Sequence, residues 1–263
     1  MKVLVIGAGA IGSYFGASLA DAGQDVTFLV RGERLNRYRS SGISIKSICG
    51  DFALPFVCTI TAEEIAISDD EYEVVLLAVK SPQVSDLTKV LSRVVQKNTL
   101  LVSLLNGVHQ KERLSKVLPT FNLCTGIANI IVSEGSIGNI EHTGVAPHIT
   151  LESMTHSSKQ ITLQFEELNT ALLAANIKFS IKDDIRRSLW QKFCFVAPWG
   201  VLASAMKLPI GEIVADEYLH SQLTCLIAEY VAIACAQGVK LDAHTAKNII
   251  KAISKLPAES TTS

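Results

Sequence analysis

The chain has 263 residues, 48% of them apolar and 19% charged, with a formal net charge of −1. That length suits one large or two medium domains with a substantial core. A near-neutral balance without a long basic run argues against nucleic acid as a partner, no apolar stretch reads as long enough to span a membrane, and the N-terminus enters a strand directly, without a secretory leader pattern.

Lys2 to Ile6 reads as a short buried strand, and Gly7, Gly9 and Gly12 come next in a G-x-G-x-x-G register that opens an Ala-rich helix running to Ala22. Each glycine has its own physical role. Gly7 permits the turn, Gly9 lets a pyrophosphate approach the backbone, and Gly12 lets helix and strand pack closely. The backbone of Ala10 and Ile11 then belongs to a helix N-terminus, whose N–H groups and dipole favour phosphate. Alone the motif is a weak signal, since glycine turns are common. Its place between an apolar strand and a helix strengthens the reading of a dinucleotide site.

The second strand, Asp25 to Val30, ends in Arg31-Gly32-Glu33-Arg34. NAD sites place a carboxylate there for the ribose 2′-hydroxyl. A guanidinium instead suits a 2′-phosphate, which favours NADPH/NADP+, with Glu33 as the dissenting residue and a solvated loop arginine as the plain alternative. Short strands are expected near Ile43–Ile48 and Phe52–Val57, then a buried strand Glu73–Val79, a helix from Pro82 to about Val95, a strand Thr99–Leu104 and a short helix His109–Leu118. Lys80 and Asn106 directly succeed the two buried strands. Each could face a cofactor or substrate at a strand's carboxyl end, and each could equally just end a strand.

From Leu123 to Glu152 the pattern predicts three antiparallel strands, Ile127–Val132, Ile137–His142 and His148–Leu151, with turns at Glu134-Gly135 and Thr143-Gly144. A helix Lys159–Ala175 and a strand near Lys178–Ile181 come next. Helices over Ile185–Met206, Tyr218–Gln237 and Ala243–Lys255 complete the chain. The fold class is therefore α/β, a doubly wound, mostly parallel sheet (residues 1–182) with an all-α C-terminal domain (183–263).

Lys192 stands at the threshold of the run Phe193–Met206, apolar on nearly every face and so expected to be buried all round. Two readings remain open on the residues alone. Snorkelling past Arg186, Arg187 and Gln191 asks least of the chain. Partial desolvation would lower the lysine's pKa and make it a general acid near neutral pH. Trp190 and Trp199 read as core. Six cysteines without C-x-x-C spacing, mostly in apolar surroundings, predict reduced core residues in a cytoplasmic protein. The histidines lack metal-ligand spacing, so no metal is expected, and His109 reads as a surface or capping residue.

Together GAGAIG, LVRG, LLAVKSPQV, LLNGV, EHTG, WQK and MKLPIGEI, in this order over the whole chain, resemble the ketopantoate reductase family (2-dehydropantoate 2-reductases). The resemblance implies a Rossmann-like domain and a helical substrate domain with the active site in the cleft, NADPH as hydride donor, a 2-oxo acid as acceptor, and a place in pantothenate biosynthesis. Carried over by position, Gly7, Gly9 and Gly12 cradle the pyrophosphate and Arg31, helped by Gln83, meets the 2′-phosphate. Lys80 and Asn106 line the cofactor–substrate junction, Lys192 protonates the developing alkoxide, and Ser263 matches a substrate-binding serine.

Two departures stand out. The family's substrate-holding asparagines, four and eight residues after the lysine, are here Val196 and Gly200, with Pro198 between them. The family also continues past the segment in which Ser263 lies, so the helical domain reads as truncated. The alternatives are a hydroxy-acid dehydrogenase of the same plan and a non-catalytic NADP(H)-binding sensor or scaffold. A homodimer surface on the apolar helical domain is left open by the same residues that core packing explains.

Overall fold

The computed structural model describes residues 1–118, 122–155 and 157–260, and the chain divides into a unit Met1–Asp184 and a unit beginning at Ile185. The first unit alternates strands and helices. In chain order they are β1 (Lys2–Ile6), α1 (Ala10–Asp21), β2 (Asp25–Leu29), α2 (Gly32–Ser41), β3 (Ile43–Ser47), β4 (Phe52–Leu54), β5 (Cys58–Ile60), α3 (Ala62–Ile67), β6 (Val74–Leu77), a 3₁₀ segment (Ser81–Leu87), α4 (Thr88–Val94), β7 (Leu100–Ser103), α5 (Gln110–Leu114), β8 (Leu123–Glu134), β9 (Asn139–Glu152), α6 (Lys159–Ala174) and β10 (Lys178–Lys182).

The strands form one sheet in the order β4-β3-β9-β8-β7-β6-β1-β2-β5, with β10 also paired to β9. β7, β6, β1, β2 and β5 run parallel, as expected when each is connected to the next by a crossover. The period-2 alternation of β1 shows that both faces are covered. Val3 and Val5 enter a core with Phe15, Phe28 and Leu168, whereas Leu4 and Ile6 enter a second core with Val75, Leu91 and Leu101. This is a Rossmann-like arrangement.

Several sequence expectations need correction. The helix expected from Pro82 to Val95 is split, because hydroxyls tighten its first half: Ser85 Oγ donates to the Pro82 carbonyl at 3.3 Å and Thr88 Oγ1 to the Ser85 carbonyl at 2.8 Å. Such local bonds favour i→i+3 turns over an α-helix. The three strands expected between Ile127 and Leu151 are two long ones. Thr143-Gly144 is no turn: Gly144, at φ +76°, lies inside β9 opposite a register shift at Asn129/Ile131, so its left-handed backbone serves a bulge. α3 is an addition to the expected elements, although Thr61 and Glu64 form a reciprocal capping box that the T-x-x-E spacing announces. β5 is a further addition, only three residues long.

The second unit is helical, with α7 (Arg186–Met206), α8 (Ile210–Ala215), α9 (Glu217–Ala236) and α10 (Thr245–Ile253). α7 is not buried all round. Leu189, Trp190, Cys194, Pro198, Trp199 and Ala203 are buried, but Val196, Val201 and Met206 are exposed, because α7 packs on α8, α9 and α10 along one side. α9 also corrects an expectation: at 20 residues with mean hydropathy 1.3 it is long and apolar enough to cross a membrane. Here Leu219, Leu223, Ile227 and Ala234 are its buried stripe. Of the six cysteines, all free, only Cys124 and Cys194 are buried. Apolar sequence neighbours do not bury a residue on an edge strand such as β5 (Cys58), or on the outward side of α9 (Cys225, Cys235).

Candidate functional site

The predicted nucleotide residues line one edge of the sheet. β7, β6, β1 and β2 are consecutive and parallel, so their carboxyl ends lie side by side over about 14 Å at ordinary strand spacing. Asn106 comes after β7, Lys80 and Gln83 after β6, Gly7 to Gly12 after β1, and Arg31 after β2. Ligands of open parallel sheets bind at this edge.

At the centre, the glycine turn is fixed by its surroundings. Gly7 has φ +102°, and a Cβ there would come within 2.6 Å of the Ala78 and Val79 backbone; a Cβ on Gly12 would collide with the Gly7 carbonyl. Gly9 differs, because apart from its own chain neighbours no heavy atom of the protein comes within 4 Å of where its Cβ would be. Its lack of a side chain is thus not demanded by packing and leaves an open cradle beside the backbone. Gly9 is also the N-cap of α1, which has no side-chain cap and no acidic residue in its first turn. The amide end of a 12-residue helix therefore opens onto that cradle, as anion binding requires. Gly16, a fourth glycine outside the motif, lets α1 lie on β2: a Cβ would meet the Phe28 ring at 2.6 Å.

Arg31 is exposed at the N-cap of α2. Arg34, one turn on, is committed elsewhere: its Nη1 and Nη2 donate to Glu134 at 2.5 and 2.8 Å. Burial pushes the Glu134 carboxyl up, but Arg34 and the Gly138 N–H, which donates to it at 3.0 Å, outweigh this and hold it below the usual carboxylate range. Of the two arginines, Arg31 stands at the strand end and Arg34 braces a turn. The pairing with Glu134, 100 residues away, has no sequence signal.

Lys80 and Asn106 are both exposed, and their loops are tied together: Ser81 Oγ donates to the Asn106 carbonyl at 3.1 Å. The Gln83 side chain caps its own turn, its Oε1 accepting from the Lys80 N–H at 3.1 Å. The loop after β7 is also pinned from inside, where Gln110 (2% exposed) accepts from Ser103 Oγ at 2.7 Å and donates to the Gly107 carbonyl at 3.5 Å. His109 is the exposed N-cap of α5, 3.6 Å from Glu112.

In the helical unit, Lys192 lies in the second turn of α7, half-buried, and burial pulls its pKa down to about 8. Val196 (39% exposed) and Gly200 stand one and two turns further along the same side of the helix. A lysine near neutrality can hold and deliver a proton. A cavity of about 220 Å³ in this unit, lined by residues including Gln191, Phe195, Asp242 and Thr245, contains none of the predicted site residues. Ser263 lies outside the described residues. No group of three or more metal-ligating side chains occurs among the described residues.

Comparison with known proteins fits this layout. Residues 3–156 match the family profile of ketopantoate reductase PanE/ApbA, and residues 184–263 that of its C-terminal domain. A 2-dehydropantoate 2-reductase of Nostoc sp. is 28% identical over 239 residues, covering 90% of this chain and 73% of the relative. An uncharacterized oxidoreductase, YkpB, of Bacillus subtilis is 26% identical, covering 92% and 77%. The crystal structure of 2-dehydropantoate 2-reductase from Geobacter metallireducens superposes with a TM-score of 0.89 at 26% identity, covering all of this chain and 85% of that one. A ternary structure of D-mandelate dehydrogenase with NADH and anilino(oxo)acetate shares the fold, with a TM-score of 0.83 at 19% identity over 97% and 79% of the two chains. With both profiles matched in order across most of its length, the chain belongs to the ketopantoate reductase family of oxidoreductases.

Proposed function

We propose that this protein reduces a 2-oxo acid to the 2-hydroxy acid with NADPH, using Lys192 as general acid. The observation that carries the cofactor half is the cradle at Gly9, open where every other constraint of the turn is met by protein atoms. The uncapped amides of Gly9, Ala10 and Ile11 would hold the pyrophosphate, and Arg31, with Gln83, the 2′-phosphate. Lys80 and Asn106, on the tied loops after β6 and β7, would meet the nicotinamide ribose and the substrate. When bound, NADPH supplies a hydride to the carbonyl carbon.

Hydride arrival leaves negative charge on the former carbonyl oxygen. The Lys192 ammonium stabilises that charge and then neutralises it by giving up its Nζ proton. Its lowered pKa of about 8 suits a proton donor, because the group is still protonated at neutral pH but yields its proton readily. Positioned proton transfer of this kind is worth roughly 10²–10⁴ in rate.

The substrate is expected to carry an apolar group beside its carbonyl. Along the Lys192 side of α7 the next positions are Val196 and Gly200, where the family's amides would hold a hydroxyl and a carboxylate. A hydroxyl against a valine keeps no partner, whereas a methyl group fits. The test is NADPH oxidation measured by absorbance with 2-dehydropantoate, 3-methyl-2-oxobutanoate, 4-methyl-2-oxopentanoate and phenylglyoxylate. Turnover is expected with at least one of the hydroxyl-free acids. Tight NADPH binding without oxidation by any 2-oxo acid would instead favour the sensor or scaffold reading.

A further inference from the structure

A chain of hydrogen bonds runs beneath the glycine turn through residues given no part above in holding cofactor or substrate. Arg34, held by Glu134, donates from Nη1 to the Tyr38 hydroxyl at 3.4 Å, and its guanidinium lies 5.7 Å from the centre of the Tyr38 ring. Tyr38 Oη is 2.6 Å from Ser13 Oγ. Ser13 donates to the Ala8 carbonyl at 3.0 Å, and Tyr38 approaches the same carbonyl at 3.3 Å. Tyr38 and Ser13 are fully buried and Ala8 nearly so.

Each donor in this series polarises the next, with an ionised group at its head. Its end is the Ala8–Gly9 peptide. A trans peptide is planar, so its carbonyl and its N–H point in opposite directions. Drawing the Ala8 carbonyl inward onto Ser13 and Tyr38 therefore turns the Gly9 N–H outward, beside the cradle that the missing Gly9 side chain leaves open. Tyr38 belongs to α2, whose N-cap is Arg31, so the same side chain ties the turn after β1 to the helix that comes after β2.

We propose that Tyr38 is a positioning residue that aims the Gly9 amide at the ligand's pyrophosphate, acting through Ser13 and the Ala8 carbonyl and braced by Arg34–Glu134. The proposal rests on the reading of this edge as a nucleotide site. It separates two contributions to affinity. The amide serves the pyrophosphate, which NADPH and NADH share, whereas Arg31 serves the 2′-phosphate, which only NADPH has.

The experiment measures Kd for NADPH and for NADH by their fluorescence, with the melting temperature of the nucleotide-free protein, for wild type, Tyr38→Phe and Ser13→Ala. Tyr38→Phe keeps the ring and removes only the hydroxyl. It is expected to raise both Kd values by a common factor of about five to ten, leaving their ratio and kcat at saturating cofactor unchanged. Ser13→Ala, which breaks the middle of the chain with the tyrosine in place, is expected to do the same. Unchanged Kd values alongside a lowered melting temperature would show a merely structural tyrosine and overturn the proposal. A loss confined to NADPH would overturn it too. Wild type binding neither nucleotide would remove the cofactor reading itself, and the proposal with it.

Discussion

The carboxyl edge of the sheet and the Lys192 side of α7 are built on different principles. At the sheet edge, backbone sets the geometry. The glycine turn is held by collisions that any side chain at Gly7 or Gly12 would cause, and by hydrogen bonds from buried hydroxyls. On α7, in the reading proposed above, side chains would set the chemistry, along one side of a single helix where Lys192 is half-buried and Val196 exposed. Backbone geometry admits few sequences, while a helix face admits many. The first region should therefore tolerate almost no change, and the second is where substrate preference can drift among relatives.

The largest effect expected is at Lys192. Lys192→Ala should lower kcat by roughly 10²–10⁴ while NADPH binds as in wild type, since the proposed proton donor acts on the substrate oxygen and not on the nucleotide. In wild type kcat/KM should be level below pH 8 and fall above it: the group acts in its protonated form and in the free protein loses that proton through a pKa of about 8. A kcat/KM that rises through pH 8, or a kcat unaffected by Lys192→Ala, would remove the proton-donor role and leave the two regions functionally unconnected.

The next effect tests the backbone principle directly. Gly9→Ala adds a Cβ with open space around it and should fold with a melting temperature near that of wild type, yet raise the NADPH Kd by well over tenfold by intruding on the cradle. Gly12→Ala should do the reverse in kind, lowering the melting temperature through its collision with the Gly7 carbonyl. Arg31→Ala should then weaken NADPH by about 10- to 100-fold, the worth of charge-assisted hydrogen bonds, and barely change NADH. Equal losses for both nucleotides would mean that Arg31 does not read the 2′-phosphate.

The two regions are also unequally legible in the sequence, for the same physical reason. Gly7, Gly9, Gly12, Arg31, Lys80 and Asn106 are readable because short apolar strands end abruptly, and residues just past a parallel strand's carboxyl end have one place to go. Local rules also announce the capping box at Thr61–Glu64. Illegible are the pairings between distant residues: Arg34 with Glu134, Gln110 with Ser103 beneath the Asn106 loop, Tyr38 with Ser13 and Ala8. The composition of α7 conceals its open face, since a run apolar on all sides reads as buried whichever side has neighbours. The cysteines mislead in the same way, because apolar neighbours in sequence say nothing of which side of α9 faces outward.

The smallest effect expected is at Val196, and it bears most on what distinguishes this chain within its family. An apolar pocket rejects an added hydroxyl only weakly, by about 10²-fold at most, because the hydroxyl forfeits water without a clash. Wild type should therefore prefer 3-methyl-2-oxobutanoate to 2-dehydropantoate in kcat/KM by about tenfold. Val196→Asn restores an amide one turn from Lys192, at a position already 39% exposed, so the change should cost little stability. It should narrow or invert the preference by less than about tenfold, since one hydrogen bond is worth about 1 kcal/mol, and should leave the NADPH Kd alone. If Val196→Asn lowers turnover of both acids in equal proportion, the α7 face does not contact the substrate's side chain. Specificity would then have to come from the sheet edge, at Lys80 and Asn106, and the division between a fixed cofactor region and a variable substrate region would fail.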